Sequence, residues 1–212
     1  MLETLIRLFF FNMFINSPIV LASSSASRKN ILKSVGIRFV QKNPTTTEED
    51  IKKKLAEKGH GPKKISLELS KAKSKSVCKK NKNVLVVGSD TVVYLDKKII
   101  NKAKTLKEAK NKIKKISGRA HKISSSCAVC FNNKIIWTTT QTTNVFVRRL
   151  SNVEINNYIR LCGKQILSSA GCYQIERLGP MIIEKIEGDF FNVMGFPLFP
   201  FLGFVKNFKM PK

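Results

Sequence analysis

The chain of 212 residues carries 39 Lys and Arg against 14 Asp and Glu, a formal net charge of +25, with 42% hydrophobic and 25% charged residues. That is an ordinary globular composition, which excludes a disordered chain, a fibrous repeat and a scaffold dependent on disulfide staples. The basic residues are mostly Lys scattered along the whole length, which favours a polyanionic ligand over a surface dedicated to nucleic acid.

The five cysteines, Cys78, Cys127, Cys130, Cys162 and Cys172, are odd in number and lack the spacing of a disulfide framework, as expected for a reducing, cytoplasmic setting. Cys127 and Cys130 form a CxxC, but the stretch "KISSSCAVCF" alternates like a strand and would send the two thiols to opposite faces. Neither His60 nor His121 completes a zinc set with them. At the N-terminus, "MLETLIRLFFFNMFI" is too short and interrupted to span a bilayer as a helix, which takes about 20 apolar residues. As a secretory signal it has a poor basic start because of Glu3, and a cut in "LASSSAS" would remove a strand that the fold needs. Met13 is an alternative start, so residues 1–12 read as an extension or a mis-assigned start, and 13–212 as one domain without a membrane anchor.

The first predicted strand is "PIVLAS", residues 18–23. A helix follows, capped by Ser25 or Ser27, with Ile31, Leu32 and Val35 on its inner face and Gly36 as its stop. Strand, serine turn and helix N-terminus make an anion site, and Arg28 and Lys29, which oppose the helix dipole, make sense if an anion lies there. A strand is expected around Phe39, then a Lys-rich helix from Thr47 to about Lys58, broken by "GHGPKK". The next helix, Ile65 to Lys79, has Ile65, Leu69 and Ala72 at core spacing.

Val84 to Val87 reads as a central strand with Asp90 delivered at its C-terminal end, where open α/β sheets place ligands. A hairpin turn at Asp96 to Lys98 leads back to Lys102. Thr105 and Glu108 form a capping box for a helix whose apolar face is Leu106, Ala109, Ile113 and Ile116. Residues 120–149 predict two long strands joined at "NNK", and Ser151 with Glu154 a further capped helix to about Cys162. Residues 170–187 read as strands around a turn at "RLGP", and 188–208 as a Phe-rich last helix packed on the core.

In so basic a chain the carboxylates are scarce, and Asp90, Glu48 and Asp189 stand in Gly-, Thr- or Phe-flanked turns rather than on Lys-rich faces. A carboxylate at a strand end suits a metal or an activated water, whereas a Glu in a helix's first turn is equally a plain dipole partner.

The blocks "LASSSASRKNILKSVGIRF", "LSKAKS", "VVGSDTVVYLDKKIINK", "EAKNKIKKISGRAH" and "SAGCYQIERLGPMIIEKIEGDFFNVMGFPL" together resemble the Maf family of nucleoside triphosphate pyrophosphatases, in order over nearly the whole chain. The resemblance implies a Maf/Ham1-like α/β fold, a mixed twisted sheet with flanking helices and a cleft between two lobes. It implies hydrolysis of a nucleoside triphosphate to the monophosphate and pyrophosphate, and an association with nucleotide-pool cleansing and cell-division arrest. Asp90 then matches the family's proton acceptor or metal-proximal carboxylate, with Glu48 and Asp189 as further ligands of a divalent cation, Mg2+ or Mn2+. Arg28, Ser23 and Ser25 would hold the phosphate tail, joined by Lys71 of "SKA" and by Lys102, which matches the Lys of the family's "GKP".

Three positions linked in the family to substrate choice fall at Ser27, Thr91 and Glu176. Thr91 keeps the common residue; Ser27 replaces an Arg, and Glu176, where many members have Gln, resembles the branch acting on modified nucleotides such as 7-methyl-GTP. "NKA" in place of "GKP", with Ala103, and Ser169 in place of a Lys are further departures. A catalytically degenerate relative and a basic nucleic-acid-binding protein are the alternatives, the latter disfavoured because no RNA-binding, helix-turn-helix or zinc motif is present. No stable nucleic-acid partner is expected, and monomer and homodimer are both open.

Overall fold

In the computed structural model the described residues are 18–209, so the expected extension at 1–12 and the alternative start at Met13 lie outside them. Strand β1 (Ile19–Ala22) is buried at every position, as its unbroken apolar run requires. It pairs in parallel with β2 (Val40–Lys42) on one side and with the first part of β3 (Leu85–Leu95) on the other. Strands β4 (Lys98–Ile100), β5 (Ala120–Phe131), β6 (Lys134–Val147) and β7 (Ile183–Glu187) join antiparallel, giving a mixed seven-stranded sheet in the order β2-β1-β3-β5-β6-β7, with β4 paired to β3. The hairpins turn where the sequence places its turn residues: Asp96 and Lys97, then Asn132 and Asn133, all hold positive φ, the conformation that two-residue turns of this type demand.

Asp90 sits in the middle of β3 rather than at its end, because β3 runs on for five residues beyond it. The expectation of a strand end holds only for the parallel half of the sheet. β5 lines one edge of β3 from Val86 to Tyr94, and on the other edge β1 covers Leu85 to Gly88 and β4 covers Val93 to Leu95. Among the described residues no strand covers Ser89 to Val92 on that edge. A local gap thus opens beside Asp90, where β1 stops and its following turn leaves the sheet.

Helices cover both faces. Helix α1 (Ala26–Ser34) packs Ile31 and Leu32 with Leu85, Val87 and the Phe-rich C-terminal segment. That segment holds two helices, α6 (Phe190–Val193) and α7 (Leu198–Asn207), where one was expected. On the opposite face α3 (Pro62–Cys78) lies against Val86, Val92 and Tyr94, and α2 (Glu48–Glu57) packs on it through Ile51 and Leu55. A second cluster is closed by α4 (Leu106–Ile116) and α5 (Asn152–Cys162); the capping box forms at Ser151, whereas Thr105 caps α4 while Glu108 Oε2 accepts from the Lys104 amide instead of closing the box. Of the strands expected at 170–187 only β7 exists, and Gly179–Met181 is a short 3-10 turn. Cys127 and Cys130 do point to opposite faces, one packed with Phe196 and Leu85 and the other with Val77 and Cys78. No helix of the described residues is long and apolar enough to cross a membrane.

His121 of β5 is 1% exposed, and its Nε2 lies 2.7 Å from the Tyr173 hydroxyl. Burial pulls its pKa from 6.5 to about 4. The folded state therefore holds the neutral ring, while the unfolded chain takes up a proton as pH drops below 6.5. The stability this provides is complete above pH 6.5 and is lost as pH falls toward 4, a total of about 3 kcal/mol. The urea midpoint is expected to fall between pH 6.5 and 4.5 by clearly more in the wild type than in His121→Gln; equal slopes would refute this assignment.

Candidate active site

The site grows from the close approach of α3 to β3. Residues 65, 66, 69, 70, 73, 74, 77 and 78 are the buried stripe of α3, with serines at 66, 70 and 74 where bulk would hold the helix away. Opposite them stands Gly88: a Cβ there would lie 2.4 Å from the Ser70 carbonyl oxygen and 2.6 Å from the Ser74 nitrogen, so only glycine permits this contact. Lys73, one turn beyond Leu69 on the same stripe, is thereby driven toward the sheet.

Its Nζ donates to Asp90 Oδ1 at 2.5 Å and lies 2.9 Å from Glu48 Oε1, with the Lys73 and Asp90 side chains both 7% exposed. Glu48 is the first residue of α2, so the packing of that helix on α3 delivers its carboxylate to the lysine. Burial works to raise the Glu48 pKa, but Lys73, helped by Lys52 and Arg28, outweighs it and leaves the carboxyl below its usual value.

Arg28 approaches the gap from the β1 side and is 9% exposed. Its Nε donates to the Gly195 carbonyl at 2.9 Å, Nη1 to Ser23 Oγ at 3.3 Å and Nη2 to Thr91 Oγ1 at 3.1 Å. Burial lowers its pKa, opposed by the charges of Asp90 and Glu48. A guanidinium has five N–H groups, so two remain for an anion after these bonds. Ser25 is the N-cap of α1, accepting from the Arg28 amide, and Ser23 Oγ accepts from the Ser25 amide. The serine hydroxyls shape the turn and hold Arg28, leaving the turn's remaining N–H groups and the guanidinium open to an anion.

At the mouth, Ser27 Oγ donates to Glu176 Oε1 at 2.7 Å, joining a half-buried serine to an exposed glutamate 149 positions away in the chain. Thr91 contacts Arg28, Ser125 and the Gly195 carbonyl, so the three positions expected to govern substrate choice all border the α1 turn, the gap or both. A cavity of about 300 Å³ lies elsewhere, between α5 and the segment around Gln174, and none of the expected site residues lines it.

The profile of the family described as Maf-like protein matches residues 18–208. The chain belongs to the Maf family. Its relatives include proteins named 7-methyl-GTP pyrophosphatase from Rhizobium meliloti, 32% identical over 87% of this chain and 92% of the relative, and from Bartonella quintana, 37% identical over 87% and 92%. A protein named nucleoside triphosphate pyrophosphatase from Bradyrhizobium diazoefficiens is 31% identical over 90% and 94%.

In this Maf protein three expected residues share no hydrogen bond or ion pair with Asp90, Glu48 or Arg28. Lys71 is half-buried on a different side of α3, where its Nζ pairs with Glu68 at 3.0 Å; two residues along a helix turn the side chain by about 200°. Lys102 is exposed in the segment between β4 and α4. Asp189 caps α6 through Oδ1, which accepts from the Phe191 amide at 2.8 Å. Among the described residues no three His, Cys, Asp or Glu side chains come together as a metal set, so Asp189 does not join Asp90 and Glu48.

Four contributors are absent from the sequence expectations: Lys73, Ser125, Asn192 and Gly195. For Lys73 a signal exists, since it continues the fourfold spacing of Ile65 and Leu69 and is a charged residue on a buried stripe. Lys73→Met is expected to destabilise the fold by about 3–5 kcal/mol, because it strands the buried Asp90 carboxylate. Lys71→Met should cost under about 0.5 kcal/mol, as expected for a partly exposed pair. Urea denaturation of both variants checks the contrast, and equal losses would contradict the assignment.

Proposed function

We propose that this protein hydrolyses a nucleoside triphosphate between its α- and β-phosphates, releasing the monophosphate and pyrophosphate. The observation that carries this reading is the pairing of two carboxylates, Asp90 and Glu48 on Lys73, with a buried guanidinium that keeps unused N–H groups beside a helix N-terminus. The names of the relatives agree with it.

Geometry supports the following roles. The α1 turn and Arg28 bind the phosphate chain, fixing its position and spreading the negative charge that builds on the departing pyrophosphate. Asp90, whose Oδ1 accepts from Lys73 Nζ, takes the proton of the attacking water. Lys73 keeps both carboxylates oriented while the substrate's own charge enters.

A divalent cation, Mg2+ or Mn2+, fits this donor set. Asp90 and Glu48 are hard oxygen donors close enough to share one ammonium, and such cations are commonly held by one or two carboxylates with phosphate oxygens and water completing the shell. When bound it would polarise the phosphate and lower the pKa of a coordinated water. Asp189, which caps α6 through Oδ1 and does not gather with Asp90 and Glu48, is not assigned as a ligand.

The base is read at the mouth. One Glu176 oxygen accepts from Ser27, and the carboxylate as a whole favours a base edge rich in N–H donors or carrying positive charge, as a 7-methylguanine does. The reaction belongs to nucleotide-pool cleansing in this reading, and links to cell-division arrest through that role.

Pyrophosphate release from a panel of ordinary and 7-methylated nucleoside triphosphates, with Mg2+ or Mn2+, tests the proposal. Wild type is expected to act on at least one, with Asp90→Asn slower by about 10²–10⁴-fold. Glu176→Gln should shift preference away from the 7-methylated purine. Absence of release from every substrate refutes the activity, and full activity in Asp90→Asn refutes the role of that carboxylate.

A further inference from the structure

Behind Arg28 runs a chain of hydroxyls that ends at Asn192. Arg28 Nη2 donates to Thr91 Oγ1 at 3.1 Å, Thr91 Oγ1 lies 2.9 Å from Ser125 Oγ, and Ser125 Oγ donates to the Asn192 backbone carbonyl at 2.8 Å. The direction of each bond is determined by the two ends. A carbonyl only accepts, so the single hydroxyl proton of Ser125 belongs to Asn192. Thr91 must then supply the proton of the 2.9 Å contact, which is shorter than its 3.3 Å alternative to the Gly195 carbonyl. With its own proton pointing away, Thr91 presents a lone pair to the guanidinium.

Asn192 is completely buried, and its side chain is fully used: Oδ1 accepts from the Ser125 amide at 3.1 Å, and Nδ2 donates to the Ile123 carbonyl at 3.1 Å and to Thr143 Oγ1 at 2.8 Å. These bonds clamp α6 to β5 and β6, and they hold the carbonyl that orders the chain. Three residues later the same turn offers the Gly195 carbonyl, which receives Arg28 Nε at 2.9 Å and Ser89 Oγ at 3.1 Å. Gly195 has φ +102°, and a Cβ there would stand 3.0 Å from Thr91 Oγ1.

We propose that Asn192 and Ser125 are positioning residues for substrate: through Thr91 they fix the rotation of the Arg28 guanidinium so that its unused N–H groups face the phosphate chain. Neither residue touches Arg28, and neither needs to touch the ligand. This inference rests on the reading of Arg28 as a phosphate ligand. A planar fork gains its bidentate geometry only when its plane is held, so the cost of loosening it falls on polyphosphate affinity.

The test uses inorganic tripolyphosphate as the probe, with affinity measured by titration calorimetry on the intact protein. Ser125→Ala and Thr91→Val are each expected to weaken binding about fivefold, the typical worth of one lost hydrogen bond. Because both break one chain, the double variant should be no weaker than the single ones. Asn192→Asp, which sets an acceptor against the Ile123 carbonyl, is expected to weaken binding similarly if it folds; Ser125→Ala carries the test if it does not. Ser124→Ala serves as the control: its hydroxyl is as deeply buried and bonds to Thr142 instead. It should lose comparable thermal stability with tripolyphosphate affinity unchanged, which a purely structural role for Ser125 would also produce at position 125.

Unchanged affinity in Ser125→Ala, multiplicative losses in the double variant, or no binding by wild type would each overturn the proposal. Nucleotide hydrolysis by wild type is followed in parallel. A chain that behaves as described in a protein that hydrolyses no nucleotide would support the positioning role and refute the enzymatic reading alone.

Discussion

Taking a carboxylate out of water and into the contact between a helix and a sheet costs several kcal/mol per ion, and the Lys73 ammonium is what makes Asp90 tolerable there. The lysine in turn reaches Asp90 only because α3 lies unusually close to β3, and that closeness depends on Gly88 facing Ser70 and Ser74. Further up the contact, Ser66 shares a hydrogen bond of 2.7 Å with Ser126, so even the polar groups of the stripe are satisfied without adding width. Remove the small residues and the ion pair opens; remove the ion pair and the small residues hold together a buried charge without a partner. Glu48 adds a second carboxylate from α2, and the single ammonium ties three elements, α2, α3 and β3, to one point.

The sheet supplies the space in which that point can work. A uniformly parallel sheet would carry β1 and its successors past Asp90, and a uniformly antiparallel one would close the edge with a hairpin. Here the two halves meet at β3, and the edge between the end of β1 and the end of β4 is left to side chains and the α1 turn. Arg28 and Asp90 approach the gap from opposite faces: alternation along β3 sends Ser89 and Thr91 toward α6 and Gly195, and Gly88 and Asp90 toward α3. Cation and anion are therefore held near each other without forming a direct pair, each anchored by its own partners.

What the sequence made legible is local. Ser25, Thr105 and Ser151 cap helices as their spacing indicates, since a cap is a matter of three residues, and Asn132-Asn133 and Asp96-Lys97 turn the chain because few residues accept positive φ. Asp90, Arg28 and Glu48 were visible as chemistry out of keeping with their surroundings. Lys73 was hidden by abundance: in a chain with so many lysines, the one on the buried stripe looks like its neighbours unless helical phase is counted. Asp189 stands as a helix cap, because a carboxylate followed by Phe-Phe-Asn serves as well for an N-cap as for a metal. The segment 170–182 had strand-like residues but no strand partner; its backbone closes on itself in turns, with the Gly179 amide bonding the Gln174 carbonyl at 2.9 Å.

The two departures at the mouth are better understood together than singly. An Arg at position 27 would neutralise a carboxylate at 176 with a bidentate pair and leave it little to offer a ligand. Serine has one proton to give, and it goes to Oε1 at 2.7 Å, so the side chain is oriented while its charge is kept. On the proposed function, an exposed carboxylate beside the α1 turn, in a protein of net charge +25, works against affinity for the triphosphate. Such a group is retained at a binding mouth when it recovers that cost by discriminating among bases, because leaving a carboxylate without a donor penalises the wrong base more than a neutral amide would. On the proposed function, Ser27 and Glu176 form one element of recognition, carried by the first turn of α1 and by the turn that precedes Gly179.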